Sequence, residues 1–473
     1  MVASDGIIYG WKRMGKILNR QELLNNAVSP TNRKAREIAL DAIESSLDAA
    51  DPKKAVKSQV RLSNGMLVVG EVSLNLSSLK KIFVVGGGKA SGFMAEALEE
   101  VLGDRIEDGL IVVPKGTSSM HKTRKITFHE ASHPIPDQSS VEASKKIVDL
   151  VSRAEKDDLV VCLISGGGSS LMTLPRRGVR LEDKRKVTDL LLKCGATINE
   201  INAVRKHVSA FKGGQLAKAA YPATVLGLLL SDVLGDPLDV IASGPTVPDS
   251  STYEEAVRVL EGYNVWEKTP SSIKKVLSDG ERGLIGETPK KGDPVFEKVR
   301  NIVVCNNRLA CQAAEKELKR SGLNTLFLSS FLEGEAREVG IALSSLAREA
   351  LTSGHPLHTP LGIVVGGETT VTVSGSGRGG RNQELALASA LKIEGLSNVV
   401  IASVSTDGVD GPTDAAGALV DGETIRKSEK LRLDARQCLK NNDSYGFFSR
   451  VGGLVHTGPT GTKVNDVTII IVL

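Results

Sequence analysis

The order of apolar runs and amphipathic stretches predicts an α/β fold in two units, with a site in the cleft between them. Three observations carry this expectation. Short apolar runs alternate with segments of helical periodicity along most of the chain, the pattern of parallel strands joined by right-handed crossovers. Two of those runs end in glycine-rich turns, Gly86-Gly87-Gly88-Lys89 and Ser165-Gly166-Gly167-Gly168-Ser169-Ser170. The length, 473 residues, exceeds what one core usually serves.

Residues 1–31 read as a loose, helix-prone extension. From Asn32 the apolar spacing predicts a helix to Ala50, and a first alternating series follows: strand 82–85, helix 92–102, strand 110–113, helix 140–154 and strand 159–164. A helical stretch at 181–220 precedes the apolar strand 224–230, which ends at Ser231-Asp232. Glycine, proline, serine and charge gather at 243–250 and 279–294, so the first unit is expected to span 32–285 and the second 295–465. The second series reads strand 302–305, helix 308–321, strand 325–328, helix 334–351, strands 361–365 and 369–373, helix 381–392 and strand 398–404. Gly366-Gly367 between two close strands predicts a hairpin, and so a mixed sheet. The closing run 466–473 has the composition of a buried strand and suits either sheet, including completion of the first unit.

Composition narrows the function. With 60 basic and 56 acidic residues, the net charge of +4 is too balanced for a nucleic-acid or membrane footprint, and 3% aromatics do not make a base-stacking platform. Small anions are the expected partners, and a homodimer is left open. The five cysteines form no C-x-x-C pair, and Cys162 and Cys305 sit in apolar strands, which fits a reducing cytoplasm. No apolar run approaches the roughly 18 residues of a membrane helix. Asp5 and Lys12-Arg13 break up the start, so no secretory leader is read there.

The glycine turns point to anions because a strand, a glycine turn and a helix start leave backbone N–H groups at a positive dipole end. Neither turn is a familiar nucleotide signature. Ala90 follows Gly88-Lys89 and Val84 stands where a P-loop needs its first glycine. A dinucleotide fingerprint would need glycine or alanine at Ser91 and an acid after strand 110–113, which ends instead in Pro114-Lys115. Glycines at such junctions can also serve packing alone. Two turns, one with a lysine inside it, favour a ligand.

Other polar segments interrupt apolar contexts. Val204-Arg205-Lys206-His207, with Lys212 beyond it, gathers cations suited to phosphate oxygens, Lys206 among them. Asp232 directly follows a strand, where a carboxylate ligates Mg²⁺ or acts as a base; Asp236 reads as a helix cap. Arg381 opens a helix after the glycine-rich loop 375–380 and is placed to grip an anion, whereas Arg378 reads as solvated. Asp407, Asp410 and Asp414 are spaced by glycines like oxygen ligands for a hard cation, without the EF-hand interval.

Taken together, Gly-Gly-Gly-Lys-Ala at 86–90, Ser-Gly-Gly-Gly-Ser-Ser-Leu at 165–171, Val-Arg-Lys-His at 204–207, Ser-Gly-Pro-Thr at 243–246, Gly-Gly-Arg-Asn-Gln-Glu at 379–384 and Thr-Asp-Gly-Val-Asp-Gly-Pro-Thr-Asp-Ala-Ala-Gly at 406–417 resemble the glycerate 2-kinase family, whose C-terminal domain is called MOFRL. The resemblance runs over residues 32–473 in one order. It implies a Rossmann-like N-terminal domain and a smaller α/β MOFRL domain around a deep cleft, and ATP- and Mg²⁺-dependent phosphorylation of D-glycerate to 2-phosphoglycerate. Lys89 and Arg381 match the family's proposed catalytic or substrate residues. Asn382 and Glu384 of the same loop are then candidates for substrate. Gly87, Gly88 and the run Ser165, Gly166, Gly167, Gly168, Ser169, Ser170 are candidates for nucleotide phosphates, and Asp232 and Asp407 for the metal. The rival readings are an NAD(P)H-dependent hydroxypyruvate reductase, a label some relatives carry, and a non-catalytic binder of phosphorylated metabolites.

Overall fold

The computed structural model describes residues 16–473. A three-stranded antiparallel sheet comes first, β1 (Val60–Ser63), β2 (Met66–Val69) and β3 (Val72–Asn75). Its signal was present in Asn64-Gly65, whose φ values of 49° and 74° are those a tight hairpin turn requires. The first large sheet contains β4 (Ile82–Gly87), β5 (Ile106–Pro114), β6 (Ile126–Ala131), β7 (Leu159–Ile164), β8 (Thr224–Leu230) and β9 (Val299–Cys305). All pairs are parallel and the order is β6-β5-β4-β7-β8-β9. Strands β4 and β7 are buried at every residue, as covering helices on both faces demand. Helix Ser91–Leu102 sends Met94 and Leu98 into the cluster of Val84 and Leu163, while helix Gln138–Val151 sends Ala143 and Ile147 against Val85 and Cys162.

Between β7 and β9 a helical lobe of Leu181–Lys193, Ile198–His207, Tyr253–Gly262 and Ser271–Glu281 packs around its own core of Val187, Leu191, Val204, Ala256, Leu260 and Leu277. The second large sheet is mixed: β10 (Asn324–Leu332), β11 (Leu361–Gly367), β12 (Val399–Ser405), β13 (Gly417–Asp421), β14 (Leu454–Val455) and β15 (Asp466–Val472), in the order β10-β11-β15-β12-β13-β14.

Three assignments made from the sequence are corrected, and the closing strand, open to either sheet, finds its place. No strand forms at 369–373, so there is no hairpin; Thr370 makes only an isolated bridge to Glu335. A central strand must be apolar on both faces, which the fully buried Asp466–Val472 satisfies and the partly exposed 369–373 does not. That closing strand lies between β11 and β12, antiparallel to both, in the second sheet and not the first. Strand β9, assigned to the second unit, pairs with β8 at the edge of the first sheet. Helix Pro30–Ala49, assigned to the first unit, packs on β12, β15 and helix Asn307–Arg320 of the second.

The expectation of a loose start lies outside the described residues for 1–15, and residues 16 onward are docked. Lys16 Nζ donates to Leu47 O (3.0 Å), Leu18 N to His456 O (2.7 Å) and Arg20 Nη2 to Asp41 (2.7 Å). The five cysteines are free, and burial pushes the thiols of Cys162 and Cys305 up to about 12. Among the described residues no helix is long and apolar enough to cross a membrane.

Candidate active site

In the first sheet, crossovers leave β4 and β7 in opposite directions, and such a switch point opens a crevice beyond the strands' carboxyl ends. Both glycine turns sit there. The turn after β4 is satisfied internally: Gly88 N–H donates to Val112 O, Lys89 N–H to Gly166 O and Ala90 N–H to the Ser165 hydroxyl. Gly87 and Gly88 are buried, so this turn offers no free N–H groups to phosphate, contrary to the sequence expectation. It offers the side chain of Lys89, exposed and without an ion-pair partner among the described residues.

The turn after β7 is different. Ser165 is consumed in tying the two turns together, but the N–H groups of Gly166, Gly167 and Ser169 find no acceptor among the described residues. The helix that follows, Gly168–Leu171, is one turn long, so the free N–H groups and not an extended dipole make this an anion cradle. Gly167 has φ 83°, a conformation that glycine adopts without strain. A Cβ on Gly166 would lie 2.3 Å from Asp232 Oδ2, so glycine there lets the carboxylate close on the backbone. Lys212 holds the cradle from behind, donating to Ser169 O (2.8 Å) and Met172 O (3.2 Å).

Asp232, at the end of β8, has no ion-pair partner at contact distance among the described residues. Burial raises its pKa, Lys463 and Lys89 pull it back, and Glu368 adds to the rise. These neighbours span the two sheets, which places the cleft. On the far side Arg381 donates Nε and Nη2 to Asp466 (2.5 and 2.8 Å), its Nη1 lies 3.1 Å from Glu368, and Lys463 Nζ lies 3.5 Å from the same carboxylate. Burial pushes Asp466 up to about 6, Arg381 pulling it down and Asp410 pushing it up; the fork keeps it ionised at neutral pH. Arg381 therefore meets a ligand with Nη1 and the second N–H of Nη2, since Nε and the other Nη2 N–H are spent on Asp466.

Several expected site residues are placed elsewhere. Lys206 is buried in the helical lobe against Asp249 (3.3 Å) and Asp239 (3.4 Å), and its neighbour His207 faces Glu287 (3.0 Å). Replacing Lys206 by Met leaves Asp249 buried without its cation. It is expected to cost about 3 kcal/mol or more in urea unfolding with little change in ATP affinity. Asn382 is spent on Asp410 and Ser403, and Glu384 on Arg337 (3.1 Å) and Asn442 (2.6 Å), all inside the second unit. Asp407 Oδ1 accepts from Ser405 Oγ and Val409 N, capping its own turn.

Glu368, Lys463 and Asp466 belong to the site without a local sequence signal for it. Their role depends on β15 running beside β11, a pairing no local pattern announces. His133, whose ring edge would meet a Cβ on Gly167 at 2.9 Å, carried no sequence signal beyond a proline after it. Burial and Lys89 lower its pKa, so it is neutral at neutral pH.

Comparisons with known proteins agree along the chain. Residues 38–278 match a domain family of unknown function, DUF4147, and residues 361–466 match the MOFRL family. A glycerate 2-kinase of Pyrococcus horikoshii is 44% identical over 92% of this chain and 97% of its own length. A putative hydroxypyruvate reductase of Agrobacterium vitis is 40% identical over 93% of this chain and 94% of its own. The crystal structure of a glycerate kinase from Thermotoga maritima superposes with a TM-score of 0.83 at 41% identity, covering 92% of this chain and 99% of that one.

Proposed function

The chain belongs to the glycerate 2-kinase family, with a MOFRL domain at its C-terminal end, and from that premise we propose that it transfers the terminal phosphoryl group of ATP to the 2-hydroxyl of D-glycerate. The observation that supports this best is Asp232, its carboxylate beside Gly166 of the β7 turn and within electrostatic reach of Lys89 from one unit and Lys463 from the other. Phosphoryl transfer asks little covalent chemistry of a protein and much positioning and charge neutralisation.

The β7 turn cradles phosphate through Gly166, Gly167 and Ser169 N–H. Lys89 neutralises the transferring phosphoryl group, being an exposed cation beside the β7 turn with no carboxylate to hold it. Arg381, oriented by Asp466, meets the glycerate carboxylate, and Lys463 sets the position of Glu368. Mg²⁺ fits as an ion that arrives with the nucleotide. Among the described residues no group of three or more His, Cys, Asp or Glu surrounds a metal position, while Asp232 supplies one free carboxylate. When bound, the ion draws charge from the phosphate oxygens. A second reading gives Asp232 the proton of the attacking hydroxyl, and the burial that raises its pKa favours it.

Asp232→Asn separates the two roles, since either predicts a fall in kcat of about 100-fold or more. Recovery at raised Mg²⁺ marks the metal-holding role. A loss that Mg²⁺ does not recover, with a flattened acid limb of the pH profile, marks the base. The reductase alternative lacks an acid where β5 would hold a ribose, since Pro114 is followed by Lys115, itself paired with Asp137 (2.5 Å). ADP release that depends on D-glycerate, with no NADH consumed on hydroxypyruvate, is the expected assay result; the reverse pattern overturns the reading.

A further inference from the structure

The β7 turn has a second face. A cavity of about 620 Å³ opens between the loop Pro134–Pro136 and the helix Leu181–Lys193, and Ser169 and Ser170 form part of its wall. Lys184 and Arg205 line the same cavity. Lys184 is 5% exposed and its Nζ is buried without a hydrogen-bond partner. Arg205 has no salt bridge or hydrogen bond among the described residues, and it adds to the repulsion on Lys184 and on Lys212 behind the turn. Asp189, on the rim, is taken by Lys193 (2.7 Å).

Lys184, buried without a partner, lies with the unpaired Arg205 in the lining of one cavity, with Lys212 behind its serine wall, an arrangement suited to an anion because a buried unpaired ammonium is costly to keep. The same cavity has apolar wall as well, from Pro134, Ile135, Pro136 and Leu192. Ile135 and Leu192 are 66% and 62% exposed there, two large side chains with nothing packed over them. A bare phosphate has no use for such walls; a phosphate ester with a flat organic body does.

We propose that this cavity is the nucleotide seat, with the polyphosphate passing Ser169 and Ser170 against Lys184 and Arg205 and the nucleoside lying between Ile135 and Leu192. The assignment rests on the kinase reading and deepens it: the turn continues from Ser170 at the cavity to Gly166 at Asp232, so the terminal phosphate is delivered toward Lys89. It replaces Lys206, the cation expected from the sequence, by its helix neighbour Arg205 and by Lys184 of the preceding helix.

The test is calorimetric titration of the intact protein with ATP, tripolyphosphate and inorganic phosphate, paired with steady-state kinetics. Lys184→Met keeps the apolar stem and removes an unpartnered buried charge, so it folds; Arg205→Gln is the second probe, and circular dichroism checks both. Each is expected to raise the Kd for ATP and tripolyphosphate about 10- to 100-fold, and the KM for ATP with it, while the KM for glycerate holds. Ile135→Ser combined with Leu192→Ser is expected to weaken ATP and spare tripolyphosphate. If glycerate is phosphorylated but both cationic variants bind ATP normally, the seat is wrong and the kinase reading stands. A raised KM for glycerate at unchanged KM for ATP assigns the cavity to the acid and overturns the proposal. Inorganic phosphate binding as tightly as ATP overturns it too. A wild-type protein that binds no ATP overturns both readings.

Discussion

Lys89→Ala is expected to fold normally and to lose about 100- to 1000-fold in kcat, the effect of removing a charge contact worth roughly 3–4 kcal/mol in the transition state. The expectation of a normal fold follows from exposure: the side chain leaves a turn whose backbone bonds to Val112, Gly166 and Ser165 do not involve it. Arg381→Ala lowers kcat as well, but it also leaves Asp466 buried without its guanidinium, so its kinetics must be read well below its lowered Tm. Arg381→Lys does not rescue, because a point charge cannot reproduce the fork on Asp466. The double variant loses less than the sum of the two, as expected of groups that hold the two substrates of one transfer in register. Near-normal turnover of folded Lys89→Ala at saturating ATP and glycerate would remove Lys89 from the mechanism.

Arg36→Ala is expected to destabilise the protein by about 3–5 kcal/mol, the usual result of removing one partner from a buried ion pair. Arg36 and Asp421 are 1% and 0% exposed, with Arg36 Nη2 2.5 Å from Asp421 Oδ2. Arg36 also donates to Leu23 O (2.8 Å) and Asn32 Oδ1 (3.2 Å), so one side chain joins the N-terminal segment, helix Pro30–Ala49 and β13. Burial alone would raise the pKa of Asp421; Arg36 and neighbouring hydrogen bonds overcome it and leave it below the ordinary 3.8. A depressed carboxylate stabilises the fold above its unfolded pKa and loses that contribution as pH falls through the folded value. The pair therefore supports the wild type fully from about pH 5 upward and loses its contribution progressively as pH falls below about 3.8. Urea denaturation at pH 7 and pH 3 checks both parts: the difference between wild type and variant is large at pH 7 and shrinks at pH 3. An equal difference at the two pH values would mean the pair does not act through charge.

Much of the first sheet was legible because its strands are apolar runs closed by glycine turns, and periodicity alone separates them from the helices. Fully buried strands carry no record of their partners, which is why β15 read as fitting either sheet and why β9 was placed with the wrong one. Within the site, Lys89, Asp232 and Arg381 announced themselves as polar residues at strand or helix ends. Glu368, Lys463 and Asp466 became site residues only through the antiparallel pairing of β11 with β15. Lys206 misled because a basic run on a helix looks the same whether its lysine faces a ligand or a buried aspartate; Asp249, 43 positions on, decided it. Lys184 had no local signal at all, since what singles it out is the absence of a partner.

The most direct measurement of the central claim is the identity of the product of D-glycerate, ATP and Mg²⁺, read by coupling to enolase with and without phosphoglycerate mutase. Transfer to the 2-hydroxyl predicts phosphoenolpyruvate from enolase alone; phosphoenolpyruvate that appears only after mutase is added would place transfer on the 3-hydroxyl and contradict the account.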